Sequence, residues 1–184
     1  MSTKVYFATS NDSKFAEAKL VLSEFELKLG RLRTKGRELQ TDDVSSVASA
    51  AASELARRIT KPFFVEDTGL YVKSLGGFPG AYAAFVNKTI GPKGLLRLLA
   101  NSRDRSAEFV SAVAHVGASR KPRIFIGRLR GSISYGVCGT QGFGFDPVFL
   151  PQGSKRTLGE FSLGQKCAIS HRARALRAMG EWLV

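Results

Sequence analysis

"AEFVSAVAHVGASRKPRIFIGRLRGSIS", residues 107–134, holds two long runs rich in Val, Ile, Phe and Ala, with a polar turn around Ser119–Pro122 between them. Runs of this kind bounded by turn residues read as strands, and two strands joined so closely imply an antiparallel pair. Towards the N-terminus the patterns alternate. "KVYFATS" (Lys4–Ser10) reads as a short buried strand. "NDSKFAEAKLVLSEF" follows with Phe15, Ala18 and Leu22 at helical spacing, behind the N-cap residue types Asn11, Asp12 and Ser13. "ELKLGRLR" alternates like a second strand, and a helix is expected from about Asp43 to Arg58. Its stripe is Val44, Val47, Ala48, Ala51 and Leu55, with Asp42 or Asp43 as cap and Glu54–Arg58 as an i,i+4 pair. A strand over Phe63–Val65 then leads to two carboxylates, Glu66 and Asp67, a glycine loop from Gly76 to Gly80 and a helix near Pro92–Ala100. Beyond the two long strands, "GFGFDPVFLP" is too rich in Gly and Pro for a regular central strand. Ser170 is placed to cap a last helix with Ile169, Ala173, Leu176 and Leu183 as core candidates. Intermixed helices and strands with an antiparallel pair predict a mixed-sheet α/β fold, and the absence of repeats or linkers predicts one domain over residues 1–184.

Composition narrows the function classes. The chain has no apolar run near the ~20 residues that a membrane helix needs, and no signal-peptide pattern at its start. Cys138 and Cys167 are far apart and form no CxxC, so a zinc site or disulfide framework is not expected and a reducing cytoplasm fits. Lys plus Arg number 28 against 15 Asp plus Glu, a net charge of +13. That excess favours polyanions: nucleic acid, anionic membrane surfaces or phosphate-rich small molecules. It is spread along the chain with no nucleic-acid-binding motif, so it fits a basic solvated surface equally well.

Four segments hold residue types able to do chemistry. In "ATSNDSK", Thr9, Ser10, Asn11, Asp12, Ser13 and Lys14 surround a helix N-terminus, whose free N–H groups and dipole attract anions. The same residues also make an ordinary capped helix with a surface lysine. Glu66 and Asp67 adjoin on a strand, so their side chains point to opposite faces and should not share one role. A carboxylate at a strand end suits a hard-metal ligand or a general base, or simply a polar turn; Glu38, followed by Asp42 and Asp43, is a second acidic spot. In "GFGFDP", Phe143 and Phe145 could stack on a planar base beside Gly144, and Asp146 could accept from a ring N–H, although packing explains such aromatics too. In "KCAISHRARAL", Lys166, His171 and Arg172 gather just before and within the first turn of the last helix. Cations there oppose the helix dipole, which favours a ligand or carboxylate that uses them.

In this order and together, the four segments resemble the inosine triphosphate pyrophosphatase family, which hydrolyses deaminated purine triphosphates. The resemblance runs from "ATSNDSKFAEAK" through "VEDTGLYVKSLGGFPGAY" and "GFGFDPVFLPQGSKRTLGE" to "KCAISHRARAL", with Thr68, Phe145 and Gly159 as modest departures. It implies an elongated mixed sheet with two lobes around a central cleft. It implies that Thr9 to Lys14 bind the triphosphate, that Glu38 and Asp67 hold Mg2+, and that Asp67 is also the base activating water. Thr68 would touch the nucleotide, Phe143 to Asp146 would line the base pocket with Phe143 stacking, and Lys166, His171 and Arg172 would complete it. A cytoplasmic homodimer without a specific nucleic-acid partner is implied as well. The rival readings are a basic, non-enzymatic nucleic-acid binder and a related pyrophosphatase acting on modified pyrimidine nucleotides.

Overall fold

The computed structural model describes residues 4–34, 36 and 39–184. Among them the chain runs β1 (Lys4–Ala8), α1 (Asp12–Leu22), β2 (Lys28–Leu32), α2 (Val44–Leu55), β3 (Phe63–Val72), β4 (Pro79–Gly80) and α3 (Ala83–Thr89). It continues with α4 (Gly91–Leu98), β5 (Ser106–Val116), β6 (Pro122–Ile133), β7 (Phe149–Pro151), α5 (Leu163–Ile169) and α6 (His171–Leu183). The strands form one mixed, seven-stranded sheet in the order β2-β1-β3-β5-β6-β7, with β4 paired to β3. β1 is parallel to β2 and β3; β3–β5, β5–β6 and β6–β7 are antiparallel. The hairpin expected over residues 107–134 is the β5–β6 pair, in register from Ser106↔Ser132 to Val116↔Pro122.

Three apolar clusters hold the layers together. Phe7, Phe64 and Val113 pack under α1 and α6 on one face, while Phe63, Val65 and Ala112 pack under α2 on the other. The third cluster gathers Leu70, Val72, Leu95, Phe109, Ile133 and Phe149 at the far end of the sheet, beneath α3 and α4. Side-chain caps set the helix starts: Asn11 Oδ1 accepts from Lys14 N at 3.0 Å, Asp43 from Ser45 N and Ser46 N, and Ser170 Oγ from Ala173 N. Among the described residues no helix is long and apolar enough to cross a membrane.

Three expectations change. The strand expected over Phe63–Val65 does not end at the carboxylates but continues to Val72, because β5 pairs with it along its whole length, from Phe63↔Val116 to Val72↔Ala107. The region before Pro92 contains a further helix, α3, and Lys166 belongs to a separate helix, α5; each is 7 residues long, too short to show a periodicity. Lys166 therefore lies in the last turn of α5, where a cation suits the dipole, and only His171 and Arg172 occupy the first turn of α6.

Candidate active site

The cleft is a gap in the sheet. β1 pairs with β3 only at Phe63 and Phe64, and β4 pairs with it only from Leu70 onward. Between these points Val65, Glu66, Asp67, Thr68 and Gly69 have β5 on one side and, among the described residues, no ladder partner on the other edge. β1 ends beside this gap and delivers the N-terminus of α1, the usual ligand position at the carboxyl ends of parallel strands. Two cavities meet there. One, of about 300 Å³, is walled by Thr68, Phe109, Phe143, Asp146, Lys166, His171 and Arg172, with Ala83 and Asn87 of α3 closing one side. The other, of about 230 Å³, is walled by Thr9, Ser10, Gly36, Ala48, Ala51 and Val65. Asn11, Lys14, Asp67 and Ala84 line both and so form the neck between them. A larger trough of about 630 Å³ past Lys73, Glu108 and Arg130 lies on the open sheet face, away from this buried polar cluster.

Buried charges make up one wall. Lys166 Nζ lies 2.5 Å from Asp146 Oδ2 and 2.7 Å from Glu17 Oε1. Arg172 reaches Glu17 through Nη1 at 2.6 Å, Thr68 Oγ1 through Nη2 at 3.0 Å and Glu66 Oε1 through Nε at 3.2 Å. Lys14 Nζ closes the series 2.9 Å from Glu66 Oε2. The series alternates in sign from Lys14 to Asp146, so three cations balance three carboxylates. Such burial is tolerable only because each charge is paired. For Glu66 and Glu17, burial opposes the charged form, but Arg172 with Lys14, and Arg172 with Lys166, outweigh it and hold both carboxyls below the usual range. Asp146 goes the other way: burial raises it despite Lys166. Burial, then Arg172 and Lys166, keep His171 well below its ordinary value, so the ring that stacks on Phe109 at 4.5 Å is neutral.

The sequence-predicted residues come together unevenly. Thr9, Ser10, Asn11 and Lys14 line the smaller cavity, but Asp12 and Ser13 line neither. Helical rotation turns their side chains outward, and Asp12 pairs with Arg31 at 2.5 Å. Asp67 and Glu66 face opposite sides, as alternation requires: Val65 packs towards α2 and Phe64 towards α1 and α6. Glu38, expected as Asp67's partner, lies outside the described residues. Phe143 is a free cavity wall, with Lys166 Nζ 4.6 Å and the Arg172 guanidinium 5.3 Å from its ring centre. Phe145 is only 3% exposed and belongs to the far core, touching the cavity as part of its wall. Asp146 Oδ2 already accepts from Phe143 N and Lys166, so it shapes the Gly142–Gly144 turn. Lys166, His171 and Arg172 converge as expected, although from two helices.

Sequence reasoning missed Glu17, the carboxylate shared by Lys166 and Arg172, and Ser111, which donates to Glu66 Oε1 at 2.6 Å. A signal for Glu17 existed: it lies three residues after Lys14 and four before the buried Val21, on the inner stripe of α1. An acid on an apolar stripe announces a buried cation. Glu66, to which the sequence assigns only a role apart from that of Asp67, is the meeting point of Lys14, Arg172, Thr68 and Ser111.

Known proteins align with this architecture over nearly its whole length. The model of the Ham1 family matches residues 5–182. A Methanopyrus kandleri protein named dITP/XTP pyrophosphatase is 41% identical over 179 residues, 97% of this chain and 95% of its own. A Thermococcus kodakarensis protein of the same name is 42% identical over 180 residues, covering 98% and 97% of the two chains. The solved structure of a HAM1 protein from Coxiella burnetii superposes with a TM-score of 0.86 at 27% identity, over 98% of each chain.

Proposed function

This chain belongs to the Ham1 family, and from that premise we propose that it hydrolyses deaminated purine nucleoside triphosphates (dITP, ITP and XTP) to the monophosphate and pyrophosphate, clearing them from the nucleotide pool. The observation that carries this reading is the pair of cavities joined at a neck formed by Asn11, Lys14 and Asp67. A base in the larger cavity and a phosphate tail in the smaller would set the sugar and the α-phosphorus at that neck, beside Asp67. Attack there releases pyrophosphate, whereas attack at the far end of the tail would release orthophosphate.

Base selection has a direct physical logic. Lys166 and Arg172 are donors without acceptor capacity, and both line the larger cavity. A purine with a 6-oxo group accepts from them; adenine sets its amino group donor against donor and leaves buried groups unpaired. A site built on hydrogen bonds can reject such a mismatch by ~10⁴ or more. Phe143 offers its face to the ring plane, and neutral His171 adds an imidazole edge.

The donor set also suits Mg2+. A hard cation takes oxygen ligands and usually one or two carboxylates plus substrate phosphate oxygens. Asp67 stands at the neck with the oxygens of Thr9, Ser10 and Asn11 nearby on the cavity wall, and Glu38 is the second carboxylate of this reading. The ion would supply charge neutralisation on the triphosphate. Asp67 accepts the proton of the attacking water, and Lys14 and the N-terminus of α1 hold the phosphate tail. The family resemblance adds a cytoplasmic homodimer, and sedimentation velocity of the purified protein reads the dimer.

A nucleotide panel with Mg2+ tests the proposal by product analysis. Pyrophosphate and monophosphate should appear from dITP, ITP and XTP, with dATP poor. Release of orthophosphate, or no turnover of any purine triphosphate, would remove it. Asp67→Asn should lower the rate ~10²–10⁴-fold with the fold intact; unchanged turnover would exclude Asp67 as base.

A further inference from the structure

Glu66 joins the two halves of the cleft through a single carboxylate. Its Oε2 lies 2.9 Å from Lys14 Nζ, and the same ammonium donates to the Glu66 carbonyl at 3.3 Å. Its Oε1 lies 3.2 Å from Arg172 Nε and accepts from Ser111 Oγ at 2.6 Å and from Thr68 Oγ1. Lys14 lines both cavities, whereas Arg172 and Thr68 line only the larger one. We infer that Glu66 is a positioning residue that links the identity of the base at Arg172 to the availability of Lys14 at the phosphate end. This inference rests on the function proposed above.

The carboxylate is the fixed member of the trio. Its side chain is fully buried, its backbone is held in the β3–β5 ladder opposite Val113, and the Ser111 and Thr68 hydroxyls fix Oε1. The cations reach it on long side chains, and Lys14 is the more exposed of the two, at 19% against 2% for Arg172. A 6-oxo base accepts from Arg172 where Glu66 and Glu17 already hold it, so Glu66 stays shared between two cations. A 6-amino base pushes Arg172 away from its resting place. Glu66 then has one near cation instead of two, and its attraction falls on Lys14. Lys14 is drawn into the wall and withheld from the triphosphate. A wrong base is thus penalised in the rate of the chemical step as well as in binding.

Single-turnover measurements with enzyme in excess yield a maximal rate and an apparent Kd for dITP and for dATP, so that even a poor substrate is read. The wild-type protein should separate the two nucleotides in both quantities. Glu66→Gln keeps the shape but carries no charge to redistribute. It should shrink the ratio of maximal rates about tenfold, while the ratio of Kd values, set by Arg172 itself, persists. Ser111→Ala removes one anchor of Oε1 and should shrink the rate ratio in the same direction by less; it decides the matter if Glu66→Gln does not fold. Rates that fall by one common factor for both nucleotides, with their ratio intact, would show that Glu66 only supports the structure and would overturn the inference. Absence of pyrophosphate release from dITP and XTP by the wild-type protein would instead overturn the proposed function.

Discussion

Gly127 on β6 is the point where α6 meets the sheet, and a single methyl group there should disable the site from behind. A Cβ at this position would lie 1.9 Å from His171 O, 2.5 Å from Ala175 N and 3.0 Å from Arg174 Cβ. Two of these atoms are helix backbone, so no side chain can rotate out of the way. Restoring ordinary contact requires the first turn of α6 to retreat by about 1.5 Å from the sheet. That turn carries His171 and Arg172. Arg172 holds Glu17 at 2.6 Å, Thr68 at 3.0 Å and Glu66 at 3.2 Å, and a retreat of that size takes the longer contacts out of hydrogen-bond range. Overpacking alone costs ~1–3 kcal/mol, and a misplacement on the ångström scale costs roughly 10²-fold in rate. Gly127→Ala should therefore lower the midpoint of denaturant unfolding and reduce kcat/KM for dITP about 100-fold. Gly164→Ala is the matched control. It lies within α5, and a Cβ there meets nothing within 4 Å. It should gain roughly 0.5–1 kcal/mol from the helix-favouring methyl and leave the kinetics alone. Gly127→Ala behaving like Gly164→Ala would refute the close-contact reasoning.

Two further outcomes are expected. Glu66 and Glu17 have folded-state pKa values held below the ordinary 4.5, so the stability they contribute is fully present above that pH and is lost as the pH falls beneath it. Glu66→Gln should cost ~3–5 kcal/mol near neutrality, and the gap to wild type should narrow as the pH drops from 4.5; unfolding midpoints that diverge on acidification would contradict this. Chelation of divalent metal should stop pyrophosphate release and Mg2+ should restore it, whereas turnover that persists in excess chelator would remove the ion from the reaction.

Local pattern and tertiary context contributed differently here. The β5–β6 hairpin, the Asn11, Asp43 and Ser170 caps and the stripe of α2 were legible because each depends on near neighbours in the chain. The length of β3 was not, because what continues it past Glu66 is pairing with β5, some forty residues away. Nor were α3 and α5, each only 7 residues long and so too short to give a period to count. Within the site, Lys14, Phe143, Lys166, His171 and Arg172 could be picked out by chemistry, as could the Glu66–Asp67 pair, within which the family resemblance selected Asp67. The role of Glu66 could not, because its partners Lys14, Ser111 and Arg172 reach it from α1, β5 and α6.

By itself, then, the sequence determined the longer periodic elements, the mixed sheet and the supply of charged and aromatic groups, since period, capping and charge are written residue by residue. The tertiary structure alone decided where they meet. It left one edge of β3 without a ladder partner between Phe64 and Leu70 among the described residues, and it brought Lys14 of α1 and Arg172 of α6 to Glu66 within that stretch. Three cations, of which Lys166 and Arg172 are buried, could then be balanced by three carboxylates drawn from distant parts of the chain. Charges taken out of water must find partners in space, whatever their separation along the chain.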